Sequence, residues 1–130
     1  MKCFDLYVGI DWSGAKGKNH SGISVFVSDN KNRFPVKVHP KNKYWSRIEI
    51  AEWILEVSRH YKIFVGIDFA FSYHYDHKGF YFKNSLDSPK TPNQLWNVIN
   101  KINIDEDDFY GGKIWDHNKY GKYYNAPNRK

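Results

Sequence analysis

Residues Leu6–Lys16 have the sequence LYVGIDWSGAK, in which an apolar run ends at a carboxylate followed by small residues. The same phrase returns at residues 63–72, IFVGIDFAFS: an aliphatic run, Gly-Ile-Asp, an aromatic residue and a small residue. Short runs rich in Val, Ile and Phe are typical of strands that are buried on both faces of a sheet. The sequence therefore predicts two buried strands, and each ends at an aspartate, Asp11 or Asp68.

The two aspartates become interesting if their strands are parallel neighbours. Equivalent Gly-Ile-Asp positions would then place Asp11 and Asp68 at the same edge of the sheet, where two carboxylates repel unless a proton or a metal lies between them. Oxygen ligands alone favour Mg²⁺ or Mn²⁺ over zinc. The alternative is that each aspartate only shapes the turn after its strand, a common use of this residue.

Length and composition indicate a folded protein with one main core. The 130 residues predict a single domain spanning 1–130, and 41% hydrophobic with 26% charged residues is ordinary for a globular chain. The lone Cys3 excludes an intramolecular disulfide and a cysteine-built zinc site. Since no apolar run approaches the length of a membrane span or of a signal sequence, we expect a cytoplasmic protein without membrane association.

The positive charge is unevenly distributed. Lys and Arg number 20 against 14 Asp and Glu, and residues 31–47 carry basic but no acidic side chains. The end of the chain, 112–130, is also basic and is predicted to be a flexible tail. Aromatic residues are interleaved with both segments, as a surface that binds nucleic acid requires. An ordinary solvated surface explains the same composition.

Turn and capping signals divide the chain into elements. The predicted order is a strand over 4–11, a second over 22–28, an edge strand over 34–39 that contains Pro35, a helix from Ser46 to His60, the strand at 63–68 and a helix over 91–103. The first three strands form an antiparallel meander. A strand, helix and strand in succession make a right-handed crossover, so the fourth strand pairs parallel to the first.

The loops after the two aspartates supply the candidate substrate-binding residues. The first loop is rich in glycine and lysine, and a phosphate would contact Lys16 and Lys18, although the pattern is not a Walker loop. Ser13, two residues after Asp11, and Ser72, four residues after Asp68, are further candidates for binding substrate. His74 and His77 lie in the second loop at a spacing that permits metal ligation, but no further ligand supports it, and the loop is better interpreted as the mouth of the site or as local packing. The acidic turn 105–108 is expected to be exposed to solvent.

The order of these elements resembles the front half of the ribonuclease-H-like fold, an α/β fold with a mixed sheet. The resemblance implies a metal site in which Asp11, Asp68 and Glu49 on the first helix bind two Mg²⁺ ions for phosphodiester hydrolysis. Four motifs, GIDWSGA, GIDFAFSY, the segment from Ser88-Pro89 to Leu95-Trp96, and FYGG at 109–112, are similar to an uncharacterised bacterial family of predicted ribonuclease-H-like nucleases. Members of that family continue beyond FYGG into elements that carry another acidic residue, so we expect this domain to be incomplete at its C-terminus. Glu49 is equally explained as the second residue of a capping box with Ser46.

The leading hypothesis is a nuclease that depends on Mg²⁺ or Mn²⁺ and acts on nucleic acid, with Asp11, Asp68 and Glu49 as catalytic residues. One alternative is an inactive ribonuclease-H-like module that binds or regulates. A weaker one interprets the first loop as the phosphate loop of an actin-like ATPase or kinase, which would need a duplicated domain. The sequence leaves open whether two chains form a homodimer through an exposed sheet edge, since unpaired edges favour association.

Overall fold

The structure is a computed structural model that describes residues 3–69 and 80–124. The chain divides into two compact units, Met1–Phe69 and Ala70–Lys130. The first unit contains β1 (Leu6–Asp11), β2 (Ser24–Asp29), β3 (Val36–Val38), α1 (Arg47–His60) and β4 (Ile63–Asp68). The second contains α2 (Pro92–Ile102) and two 3₁₀ helices, Gly112–Asp116 and Gly121–Tyr123.

The four strands form one mixed sheet in the order β3-β2-β1-β4. β1 and β2 pair antiparallel, as do β2 and β3, whereas β4 pairs parallel to β1 after the crossover through α1. The predicted α/β architecture of a meander, a crossover helix and a parallel fourth strand is therefore confirmed. β3 is a short edge strand directly after Pro35, which cannot donate a ladder hydrogen bond.

One face of the sheet packs against α1. Val8 and Ile10 of β1 form a core with Val25 of β2 and Ile50 of α1, and Trp53 and Ile54 of the helix pack against it. The remaining positions alternate with these, so the prediction that both faces of the strands are buried was wrong: burial alternates along β1 and β4. The apolar runs suggested burial on both faces because the exposed positions before each aspartate hold glycine and aromatic residues, Tyr7 and Gly9 in β1 and Phe64 and Gly66 in β4, instead of charged ones.

We call the other side of the sheet the open face. In β1 and β4 its residues are those that alternate with the core positions. In β2 and β3 they are the cross-strand partners of these open-face residues. The open face thus consists of Tyr7, Gly9 and Asp11 of β1, Phe26 of β2, Lys37 of β3, and Phe64, Gly66 and Asp68 of β4. All eight are exposed. Both predicted aspartates therefore lie on the face of the sheet that α1 does not cover.

Side-chain caps fix the beginnings of both helices. Ser46 Oγ accepts a hydrogen bond from the Glu49 N–H at 3.0 Å, and Thr91 Oγ1 accepts one from the Gln94 N–H at 3.3 Å. These caps satisfy N–H groups that the first turn of a helix leaves without intrahelical partners. The predicted starts of α1 and α2 are confirmed.

The second unit is organised around Phe82, which is fully buried. Its ring stacks on Tyr123 at a centroid distance of 5.1 Å and lies 4.8 Å from Tyr120. Residues 112–124 thus form two packed 3₁₀ helices, where the sequence predicts the beginning of a flexible tail; residues 125–130 lie outside the described part. Burial of aromatic rings orders this segment although it has no helical or strand periodicity. Asp108, predicted to be exposed in the acidic turn, is buried.

Among the residues that the structure describes, no helix is long and apolar enough to cross a membrane.

Candidate functional site

The sheet register aligns the two aspartates. β1 and β4 pair in parallel over six positions, from Leu6 opposite Ile63 to Asp11 opposite Asp68. Neighbouring strands lie about 4.8 Å apart. Since both carboxylates end their strands on the open face and both residues are exposed, they form a pair of neighbouring acidic groups that a ligand can reach.

Among the described residues, Asp11 and Asp68 lack the hydrogen bonds of a turn-forming aspartate. Asp29 shows what such a residue looks like in this chain: its Oδ1 accepts hydrogen bonds from the N–H groups of Lys31, at 2.7 Å, and Asn32. These bonds hold the pKa of Asp29 below its ordinary value. Within residues 3–69 and 80–124, neither the Asp11 nor the Asp68 carboxylate accepts a hydrogen bond. Within the part of the chain that the structure describes, no internal group therefore competes with a ligand for these two carboxylates.

Glu49 is not brought to the pair. It lies in the first turn of α1, on the other side of the sheet from the open face, and its Oε1 accepts a hydrogen bond from the Lys41 N–H at 3.0 Å. It lines a groove of about 660 Å³ along α1 together with Trp45 and Trp53. In the described part of the chain no three His, Cys, Asp or Glu side chains meet in a way that could hold a metal. The two strand carboxylates thus meet without the helix carboxylate.

Two aromatic rings contact each other directly after the two carboxylates, at the ends of β1 and β4. Trp12 follows Asp11 and Phe69 follows Asp68, and their ring centroids are 5.4 Å apart. Trp12 also packs against the core on the α1 side. This contact ties the ends of β1 and β4 together where the carboxylates are and keeps the pair in register.

Arg47 organises the loop that follows Asp11. Arg47 is buried, with a relative exposure of 3%, and both Nε and Nη2 donate to the Ser13 carbonyl oxygen, at 3.1 and 2.8 Å. Nη2 also donates to the Ala15 carbonyl oxygen. A guanidinium is suited to such a role because its planar fork presents several donors at once. The first helical residue of α1 therefore fixes the path of the loop after β1.

Sequence reasoning missed this role for Arg47 and counted it only among the basic residues of 31–47. One signal was present: a cation in the first turn of a helix opposes the helix dipole, which favours acidic groups there. An arginine placed against the dipole has another partner in the fold.

The predicted substrate residues divide into two groups. Lys16 and Lys18 are exposed in the loop after Asp11 and flank Gly17, whose φ of +111° is a left-handed conformation that suits glycine. Ser13 is partly buried, and its Oγ accepts a hydrogen bond from the Ala15 N–H at 3.3 Å, so it also shapes the loop. Ser72, His74 and His77 lie outside the described residues.

Comparisons with protein-family models, with curated proteins and with solved structures each gave no match.

Proposed function

We propose that Asp11 and Asp68 form a site for Mg²⁺ or Mn²⁺, and that the chain is a metal-dependent nuclease of the ribonuclease-H-like type. The observation that carries the proposal is the register of β1 and β4, which sets two exposed carboxylates side by side at the ends of parallel strands. Neither carboxylate accepts a hydrogen bond within residues 3–69 and 80–124.

The donor set fits such an ion. Mg²⁺ prefers oxygen ligands, keeps several waters, and is commonly bound in phosphate-handling sites through one or two carboxylates together with substrate phosphate oxygens. Asp11 and Asp68 supply that number of carboxylates. A bound divalent ion activates water as a nucleophile and stabilises a leaving oxygen.

The loop between β1 and β2 is assigned to binding the phosphates of the substrate. Lys16 and Lys18 carry positive charge close in sequence to Asp11 and would hold the phosphates of a nucleic acid. Arg47 keeps the backbone of this loop in place through Ser13 and Ala15. In this assignment Glu49 is a structural residue of the α1 start and stands outside the metal site.

The test is cleavage of single-stranded and double-stranded DNA and RNA in Mn²⁺ by wild type, Asp11→Asn and Asp68→Asn. The proposal expects each aspartate variant to lose most of the Mn²⁺-dependent cleavage, whereas Glu52→Gln, an exposed acidic position on α1, retains it. Glu49→Gln is also expected to retain it. Cleavage that is equal in wild type and both aspartate variants would show that the pair is not the catalytic centre.

A second candidate is a module that binds nucleic acid without cleaving it. It is favoured by the meeting of two carboxylates rather than three among the described residues. The two candidate functions are distinguished by measuring nucleic-acid binding in EDTA and cleavage in Mn²⁺. Binding that persists in EDTA and in an Asp11→Asn/Asp68→Asn variant, with no cleavage by wild type in Mn²⁺, supports the binding module.

A further inference from the structure

Three rows of residues cross the open face, each defined by strand register. The first row is aromatic and consists of Tyr7 and its partner Phe64. The middle row runs from Lys37 of β3 through Phe26 and Gly9 to Gly66. The last row ends in the carboxylate pair of Asp11 and Asp68. From the first row to the last the chain advances four residues, about 13 Å of strand.

The aromatic row is a cluster of rings that are exposed. Tyr7 and Phe64 lie 6.4 Å apart, and Phe4 contacts them at 6.2 and 5.4 Å. Tyr7 is 38% exposed and Phe64 is 54% exposed, although rings of this size are usually largely buried. Lys62 Nζ lies 5.9 Å from the centre of the Phe4 ring. Flat rings beside a cation are what stacked bases and their phosphates require.

The middle row contains two glycines, Gly9 and Gly66, whose backbone conformation other residues can adopt. Neither has a positive φ, since Gly17 is the one glycine of the described residues in that region. Among the described residues, a Cβ on Gly9 would meet no atom within 4 Å, and a Cβ on Gly66 would meet only the Val8 carbonyl oxygen at 3.9 Å, an ordinary contact. Glycine weakens a strand, and in this position it often marks the close approach of a ligand. Paired glycines leave a flat strip between the rings and the carboxylates.

We propose that the open face binds single-stranded nucleic acid. Bases stack on Tyr7 and Phe64, and the sugar-phosphate backbone passes over Gly9 and Gly66 towards the Asp11 and Asp68 pair. This inference rests on the proposed function, because it names the substrate class of that site. Four-stranded sheets with exposed aromatic rings stack two or three bases in known RNA-binding modules, and the length of this face suits such a segment.

Charge and shape select the occupant. Lys37 in the middle row and Lys62 beside the aromatic cluster are exposed and offset the two carboxylates of the last row, and the whole chain carries a formal charge of +6, so a polyanion is favoured over a basic partner. Rings on a sheet stack only with bases that are not already stacked inside a helix. A single strand therefore suits this face, and a duplex does not.

The test measures binding of a fluorescein-labelled oligothymidylate by fluorescence anisotropy, in EDTA so that metal plays no part, with the duplex formed by oligoadenylate as comparison. Tyr7→Leu and Phe64→Leu remove one ring each and keep an apolar side chain. Tyr61→Leu is the control, since Tyr61 is 52% exposed, caps the end of α1 and is not one of the eight residues of the open face. We expect each ring variant to weaken single-strand binding by roughly fivefold or more, the effect of losing a base–aromatic stack, and the control to bind as wild type.

Gly9→Val tests the flat strip with a variant that is expected to stay folded, so that a loss of single-strand binding is not explained by unfolding. Because a Cβ at position 9 would meet no described atom within 4 Å and valine favours strands, the thermal midpoint of this variant should equal or exceed that of wild type while single-strand binding falls. The proposal is overturned if the ring variants and Tyr61→Leu bind alike, if duplex binds as tightly as single strand, or if wild type forms a dimer in light scattering that Phe64→Leu dissolves, which would assign the face to a second copy.

These outcomes are separate from those of the proposed function. Suppose that binding in EDTA depends on the rings and that Asp11→Asn and Asp68→Asn cleave as well as wild type. The open face would then remain a nucleic-acid surface, and the metal site would be rejected. Cleavage that requires both aspartates, without ring-dependent binding, would support the metal site and reject the open face as the nucleic-acid surface.

Discussion

Replacing Arg47 with Met tests whether a buried guanidinium holds the loop after β1. The substitution keeps most of the side-chain volume, so little cavity is created, but it removes every donor to the Ser13 and Ala15 carbonyl oxygens. Hydrogen bonds to charged groups contribute about 1.5–3 kcal/mol each, which gives roughly 3–6 kcal/mol for two acceptors. Ala15 is exposed and Ser13 partly so, and water will replace some of this loss. We therefore expect the free energy of unfolding to fall by about 2–4 kcal/mol.

The matched control is Arg59→Met on the same helix. Arg59 has an exposed side chain whose ion pair with Glu56, at 2.7 Å, lies at the surface, so its loss should cost less than about 1 kcal/mol. Both variants are compared with wild type by urea unfolding, followed by far-ultraviolet circular dichroism. An Arg47→Met variant that loses no more stability than Arg59→Met would refute the role assigned to Arg47.

Three further predictions concern the stability of the two units. Ser46→Ala removes the N-cap of α1 and should cost about 1 kcal/mol in urea unfolding, with Ser46→Asp, another good cap, restoring most of it. Phe82→Ala empties the centre of the aromatic cluster and should cost about 3–5 kcal/mol, so a loss under 1 kcal/mol would show that the cluster does not hold the second unit. The ion pair of Lys119 with Asp87, at 2.8 Å, lowers the pKa of Asp87 and raises the pKa of Lys119. Lys119→Met should therefore lower the thermal midpoint slightly at neutral pH, and this difference should vanish as the pH falls from the ordinary aspartate value of 3.8 through the lowered pKa of Asp87; an unchanged difference in acid would contradict the pairing.

The parts of the fold that the sequence predicts well are those set by local and repeated patterns. The two copies of Gly-Ile-Asp predict both the parallel pairing and the register of Asp11 with Asp68, because a crossover helix leaves little choice of pairing. Ser46 and Thr91 predict the starts of the helices because capping depends on residues only three positions apart.

The missed features depend on distant contacts or on which face a residue occupies. Glu49 fits a capping pattern and an active-site pattern equally well, and only the position of α1 on the far side of the sheet separates the two. The contacts of Arg47 with Ser13 and Ala15 cross more than 30 positions of sequence, which no local pattern records. The exposure of Tyr7 and Phe64 was hidden because aromatic residues in an apolar run suggest burial.

The most direct test of the central claim, that Asp11 and Asp68 form one divalent cation site, is calorimetric titration of Mn²⁺ into wild type and into Asp11→Asn/Asp68→Asn without nucleic acid. Glu49→Gln serves as the control, because Glu49 belongs to the start of α1 and not to the pair. The account predicts saturable binding by wild type and Glu49→Gln, and none by the double variant. Absence of binding by wild type, or binding of equal strength by the double variant, would contradict it.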